Sequence, residues 1–504
     1  MLFSDKFEVD SSILNDYGAV NISLVCDVPL FVDPMLIFNS SKKEYLKLHK
    51  EIIKYFYFLA KKSERKLDIL EIKTWFTFKE VYNNWLGYAL NGNRGNALDM
   101  KFGTYLSKNM KFALNTNNIS NGVHIEKVML LYDRSGKDKI SDLTVNLIKG
   151  YLCEYTQKFA INNIKEIYCK KFLVDKAEFN YETESFITKE YYLPYIVNKY
   201  GEEEFVLLTP QDMLRKNEPA INRTDFLNRY SQVRDAIENP VLKVEVNNYI
   251  AKAVALYEIE QKENNKKIKE SEIKRIELKS FLEMTDAHPE IYDYYVKMKE
   301  NDKDNIKQEC LNEVNEQLEK LKNSAILASK LDEYDKTLIS EELTAYEECK
   351  ERIKYFKHII EDGDAYKMMY FNGERKFSES DLQRMFKMVW CNSTFKADFE
   401  VNNGRGPADV VVSKGEENQV VVEFKLAGNT GLKHVSKQLE IYKKANGTKN
   451  GIIVIFYFTE SEYIKVNKWL NENNLNDKVG ENIFLIDCRD DNKESASKSK
   501  AKIV

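Results

Sequence analysis

The chain has 504 residues, 43% of them hydrophobic and 31% charged, with only 19 Gly and 8 Pro. This composition excludes collagen-like, mucin-like and wholly disordered chains, and it favours long helices in two to four domains of roughly 150 residues each. A formal net charge of -4, from 76 basic and 80 acidic side chains, excludes a polycation that binds nucleic acid through bulk charge, so any such partner must meet a local patch.

The seven cysteines (Cys26, Cys153, Cys169, Cys310, Cys349, Cys391, Cys488) never form a C-x-x-C pair. A zinc module and a disulfide framework are therefore both disfavoured, and a reducing compartment is expected. The first residues lack a basic stretch followed by an apolar run, and the longest apolar stretch, Gly451 to Phe458, is far too short to span a bilayer. The expectation is a cytoplasmic protein with no membrane partner.

Residues 1–245 carry mixed strand and helix patterns and are expected to form an N-terminal α+β domain for target selection or sensing. Asn91-Gly-Asn-Arg-Gly-Asn-Ala-Leu-Asp reads as a turn leading toward a helix, without the Gly-Lys-Ser/Thr of a phosphate-binding loop. Val128 to Tyr132 reads as a buried strand entering an acidic turn with Asp133, Asp138 and Asp142. Trp75, Trp85 and Tyr55-Phe-Tyr-Phe are expected in the core. The five histidines never pair at metal-ligand spacing.

Residues 246–365 carry a net charge of -8, one proline and one glycine, which predicts a helical, coiled-coil-like middle. Leu311, Val314, Leu318 and Leu321 recur at helical spacing, as do Ile353, Phe356 and Ile360. A packed antiparallel hairpin and a homodimer arm both satisfy that pattern. No heptad is sustained over four repeats.

Residues 366–504 change character, with β-branched runs, returning glycine and 22 basic against 19 acidic side chains, and residues 366–490 of them are expected to form one domain. Leu382, Met385, Phe386 and Val389 mark one face of a helix starting near Ser378. Strands are predicted over Thr394–Val401, Ala408–Ser413 and Gln419–Leu426, the last two forming a hairpin across Lys414-Gly-Glu-Glu-Asn. If that loop is symmetric about Glu416, Ser413 faces Gln419, Val411 faces Val421, and Asp409 faces Glu423. Facing side chains stand roughly 4.5–5.5 Å apart at Cβ, so two carboxylates there repel unless a cation intervenes. Oxygen ligands of this kind suit Mg²⁺. Alternation places Lys425 on the same face. The apolar run Gly451 to Phe458 suits a central strand, with a helix from Glu460 to Asn473 and a strand over Asn482–Asp487 after it. Residues 491–504 lack apolar periodicity and read as a mobile tail.

Gly-Arg-Gly-Pro-Ala-Asp409, followed after thirteen residues by Glu423-Phe-Lys425, resembles the core of the PD-(D/E)xK nuclease superfamily, the restriction-endonuclease-like fold. The resemblance covers about 110 of the 504 residues. It departs from the family pattern in one respect: a residue, Ala408, separates Pro407 from Asp409. By this resemblance the fold class is α+β multidomain, with a C-terminal αβββαβ restriction-endonuclease-like domain behind a mainly helical middle. The resemblance implies Asp409, Glu423 and Glu379 as ligands of Mg²⁺, with Mn²⁺ as a substitute, and Lys425 as the catalytic cation. It also implies site roles for Gln438 and Tyr442, which match a Q-x-x-x-Y element. Those two residues read equally as a polar helix edge, and Glu379 as a first-turn acid favoured by the helix dipole. His434, Lys433, Lys437, Lys443, Lys444 and Lys449 are candidate phosphate contacts or solvated charge. The activity implied is metal-dependent DNA hydrolysis, by analogy in bacterial restriction or anti-phage defence, with DNA and a defence-system protein as partners. The alternatives are a helical sensor or assembly protein whose nuclease-like domain only binds nucleic acid, and an RNA nuclease using the same site.

Overall fold

The computed structural model describes residues 1–493 except 90–97, 115–123, 131–136, 199–200, 336–342, 364, 372, 389, 391–392, 394, 403–406 and 416. In the first half, α1 (Lys43–Lys62) turns Tyr45, Ile52, Tyr55, Phe56 and Leu59 inward at helical spacing. Trp75 and Trp85 are buried with them. Helix α2 (Lys149–Asn163) lies over a long antiparallel hairpin, β1 (Cys169–Asn180) and β2 (Ser185–Val197), to which β3 (Glu203–Phe205) adds a third strand. The approach is close: a Cβ at Gly150 would stand 2.7 Å from the Ala177 carbonyl oxygen. The run containing Val128 is not the expected strand. Ile125–Leu130 is a short helix, because apolar runs of this length satisfy either geometry and its neighbours here are helical. The Asn91 turn up to Ala97 and Asp133 lie outside the described residues.

The helices of the middle segment go to different neighbours. Helices α3 (Pro240–Glu263) and α4 (Glu270–Ala287) pack against each other, and Leu242, Val246, Ile250, Phe281 and Met284 enter a core shared with Ile291–Asn301. The 33-residue α5 (Lys303–Asp335) lays Val314, with Leu318 and Leu321, on the N-terminal core. Its charged face joins the two halves. Glu316 Oε1 lies 3.0 Å from Lys216 Nζ and 3.2 Å from Lys320 Nζ, and Lys320 Nζ lies 3.0 Å from Asp381 Oδ2. Helix α6 (Ala345–Glu361), capped by Thr344, belongs to the C-terminal core: Ile353, Phe356 and Ile360 bury against the large sheet.

That sheet follows α7 (Glu379–Met388) and comprises β4 (Lys396–Asn402), β5 (Pro407–Ser413), β6 (Gln419–Leu426), β7 (Gly451–Tyr457) and β8 (Ile483–Asp487), with α8 (Val435–Ala445) and α9 (Glu460–Glu472) between the later strands. The strand order is β8-β7-β6-β5-β4, antiparallel from β4 to β6 and parallel from β6 to β8. The β5–β6 register pairs Ser413 with Gln419 and Val411 with Val421, as the symmetric loop requires. Val410, Val412, Val420, Val422 and Phe424 face α6 and α7; Val411 and Val421 face α8 and α9. β7 is buried throughout, as a strand covered on both faces must be. The chain is therefore mixed α+β. Among the described residues, no helix is long and apolar enough to cross a membrane. Six cysteines are buried and unpaired, and the seventh, Cys391, is outside the described residues. Residues 494–504 of the tail also lie outside them.

Candidate active site

Three elements converge at the end of the β5–β6 ladder. The backbone register stops at Val410 paired with Val422, and one residue earlier on β5 the Asp409 side chain takes over. Its Oδ2 accepts a 2.7 Å hydrogen bond from the Phe424 N–H, and its Oδ1 accepts one of 2.8 Å from Gln383 Nε2 on α7. From β6, alternation sends Val422 and Phe424 into the core and Glu423 and Lys425 to the opposite face. Glu379, at the start of α7, reaches the end of β6, where its Oε1 accepts from the Leu426 N–H at 3.1 Å and from Asn429 Nδ2 at 2.8 Å.

The ammonium of Lys425 sits among the three carboxylates. Its Nζ is 2.9 Å from Glu423 Oε1, 3.9 Å from Asp409 Oδ2 and 3.9 Å from Glu379 Oε2. One cation thus serves three anions. Burial, and then the neighbouring Glu423 charge, push the Asp409 carboxyl up to about 7. Burial also raises Glu423, against the pull of Lys425. For Lys425 burial opposes the charge, but Asp409, Glu423 and Glu379 outweigh it and raise its pKa, so the ammonium is held charged.

Among the described residues, Glu423 Oε2 is buried without a hydrogen-bond partner, which in a close-packed interior costs about 1–3 kcal/mol. An orphan carboxylate oxygen beside two more carboxylates fits a hard divalent cation such as Mg²⁺, which takes oxygen ligands. Asp409, Glu423 and Glu379 are the residues that would hold it. Among the described residues no three His, Cys, Asp or Glu side chains already stand as a closed ligand set, and it is Lys425 that lies between these carboxylates.

Gln438 and Tyr442 lie one turn apart on α8, which packs on β6. The side-chain oxygen of Gln438 is buried without a hydrogen-bond partner among the described residues. The Tyr442 hydroxyl is raised by burial and then by the charges of Glu423 and Asp409, so it lies within their field. His434 is exposed at the turn before α8; Lys443 is held by Glu440 at 2.7 Å, while Lys433, Lys437, Lys444 and Lys449 are exposed. Gln383 is the residue the sequence reading passed over. It stands four positions after Glu379, on the same helical face, and that spacing was the available signal.

The model of one domain of unknown function (DUF8370) matches residues 8–222, and that of another (DUF8371) matches residues 345–460. The second span holds every residue of the cluster. It also begins at α6 and ends in α9, taking in the helix that covers one face of the sheet. No curated protein and no solved structure matches the chain.

Proposed function

We propose that this chain is a Mg²⁺-dependent nuclease of the PD-(D/E)xK type, hydrolysing DNA phosphodiester bonds in bacterial restriction or anti-phage defence, with the N-terminal half selecting the target. The observation that carries this reading is the meeting of Glu379, Asp409 and Glu423 around Lys425, with one buried carboxylate oxygen left unmatched. The order α7-β4-β5-β6-α8-β7 agrees with the αβββαβ arrangement that the superfamily resemblance implies.

The chemistry follows from the charges. A bound Mg²⁺ supplies Lewis-acid stabilisation of the phosphoryl oxygens and a more acidic water. Lys425, held charged by its neighbours, stabilises the negative charge that grows on the phosphoryl group during attack. Gln383 and the Phe424 N–H each donate to one Asp409 oxygen, which fixes that carboxyl group in orientation. Tyr442 and Gln438 flank the site from α8 and are placed to orient the scissile phosphate or its attacking water.

Plasmid cleavage by the intact protein with Mg²⁺ or Mn²⁺ tests the reading, with Asp409→Ala, Glu423→Ala and Lys425→Ala as controls. Cutting that survives all three substitutions removes the site assignment. DNA binding without cutting favours a binding module. Labelled RNA offered in parallel identifies an RNA nuclease.

A further inference from the structure

The turn after β6 is exposed, yet the aim of Glu379 depends on it. Gly428 and Asn429 are both exposed, so burial does not fix their position. This stretch nevertheless supplies two donors to Glu379 Oε1, the Leu426 N–H and Asn429 Nδ2. Its ties come from α9. Glu462, Lys465, Val466 and Trp469 follow one another at i, i+3, i+4 and i+7 and so share one side of that helix, where Val466 and Trp469 are buried. Lys465 Nζ lies 2.7 Å from the carbonyl oxygen of Ala427, 3.2 Å from that of Gly428 and 3.1 Å from that of Asn429. One ammonium thus places its three donors on three successive carbonyls. Beside it, Glu462 leaves no room for a side chain at position 428: a Cβ there would stand 2.6 Å from its Oε1, which Arg375 holds at 3.0 Å.

We infer, on the reading of Glu379 as a metal ligand, that Lys465 is a positioning residue of the candidate site and acts on Glu379 through the turn 427–429. Among the described residues the Lys465 ammonium pairs with no carboxylate, so what it contributes is the shape of the turn. Without it the three carbonyls lose the cation that gathers them, and Asn429 is no longer held against Glu379. The carboxylate is then free to close on the Lys425 ammonium, 3.9 Å from its Oε2. Drawn into that pair, it is a weaker ligand, as first-layer groups are when the residues that orient them are lost.

Mn²⁺ uptake by the full chain, followed through the electron paramagnetic resonance signal of the free ion, needs neither nucleic acid nor turnover. The site is read as the component of uptake that Glu423→Ala abolishes. Lys465→Met keeps a flexible stem and removes the donors, and because Lys465 is exposed the circular dichroism spectrum is expected to stay unchanged. The Mn²⁺ dissociation constant of this variant is expected to rise about 10-fold, and that of Asn429→Ala by a similar factor. In a Glu379→Ala background, Lys465→Met is expected to add nothing. Affinity equal to wild type in Lys465→Met overturns the positioning, as does a loss of the same size with and without Glu379, which marks a purely structural role. A wild-type chain with no Glu423-dependent uptake overturns the metal reading, and the positioning with it.

Discussion

Asp33 in the N-terminal half is a buried carboxylate and Asp409 in the C-terminal half a partly buried one, and burial raises the pKa of each. Their surroundings differ. Asp33 caps a short helix, accepting from the Met35 N–H at 3.0 Å and the Ala220 N–H at 3.2 Å, and the Arg215 guanidinium stands 3.7 Å away. Arg215 is itself shared, lying 3.5 Å from Glu309 and 3.7 Å from Glu313, so both places hold three carboxylates around one cation. Neither burial nor a shared cation therefore sets the two apart. What differs is that both Asp33 oxygens have backbone donors, whereas beside Asp409 the buried Glu423 Oε2 has no hydrogen-bond partner among the described residues.

The comparison breaks first at the chemistry. Glu423→Gln is expected to lower Mg²⁺-dependent cleavage by about 1000-fold or more in a plasmid assay, with the fold intact by circular dichroism. The second effect has the opposite character. Asp33→Ala leaves the Met35 and Ala220 N–H groups without their acceptor, while Arg215 keeps Glu309 and Glu313, and is expected to cost about 1–3 kcal/mol in urea unfolding, whereas Asp409→Asn relieves repulsion and is expected to be neutral or stabilising by about 1 kcal/mol. Equal losses from the two substitutions would erase the distinction. Smaller still, Gln383→Leu is expected to cost about 10-fold in activity, through a higher Mg²⁺ requirement and without loss of folding, since it removes only the group that orients a ligand.

The smallest effect concerns pH. The Asp409 carboxyl is pushed from 3.8 up to about 7 in the folded chain. Between those values the folded state holds the proton and the unfolded state does not, so metal-free stability falls as pH rises from about 4 to 7. Asp487, at the end of β8 in the same sheet, has the reverse sign. Burial opposes its charge, but Arg489 holds its carboxyl down to about 2, so its contribution is present above about pH 4 and lost on acidification toward 2. Urea midpoints measured across this range should lose the first slope in Asp409→Asn and the second in Asp487→Asn.

The hairpin register was legible in the sequence because a five-residue loop leaves little freedom, and alternation then fixes the face of Glu423 and Lys425. The convergence of Glu379 was legible from the resemblance and not from spacing. What sequence could not supply was the partner of each apolar stripe. Ile353, Phe356 and Ile360 announce a helix, but nothing local says that it covers the sheet instead of joining the charged middle. Likewise the run from Val128 is apolar enough for a buried strand, and only its surroundings select the helix that ends at Leu130. Gln383 escaped notice because a neutral amide carries no charge pattern; its role appears only when Asp409 is brought beside it.

The bridge Lys216–Glu316–Lys320–Asp381 bears on cooperativity. Lys320 and Asp381 are both buried, and their ion pair crosses between the two halves, while Glu316 and Arg384 give each a second counter-charge on its own helix. Opening that seam breaks the crossing pair together with the packing of α5 on α7. Neither half can then melt without unsettling its neighbour. α7 carries Glu379 and Gln383 toward β5 and β6 and Asp381 toward α5, so heat or denaturant is expected to remove the fold of both halves in a single transition.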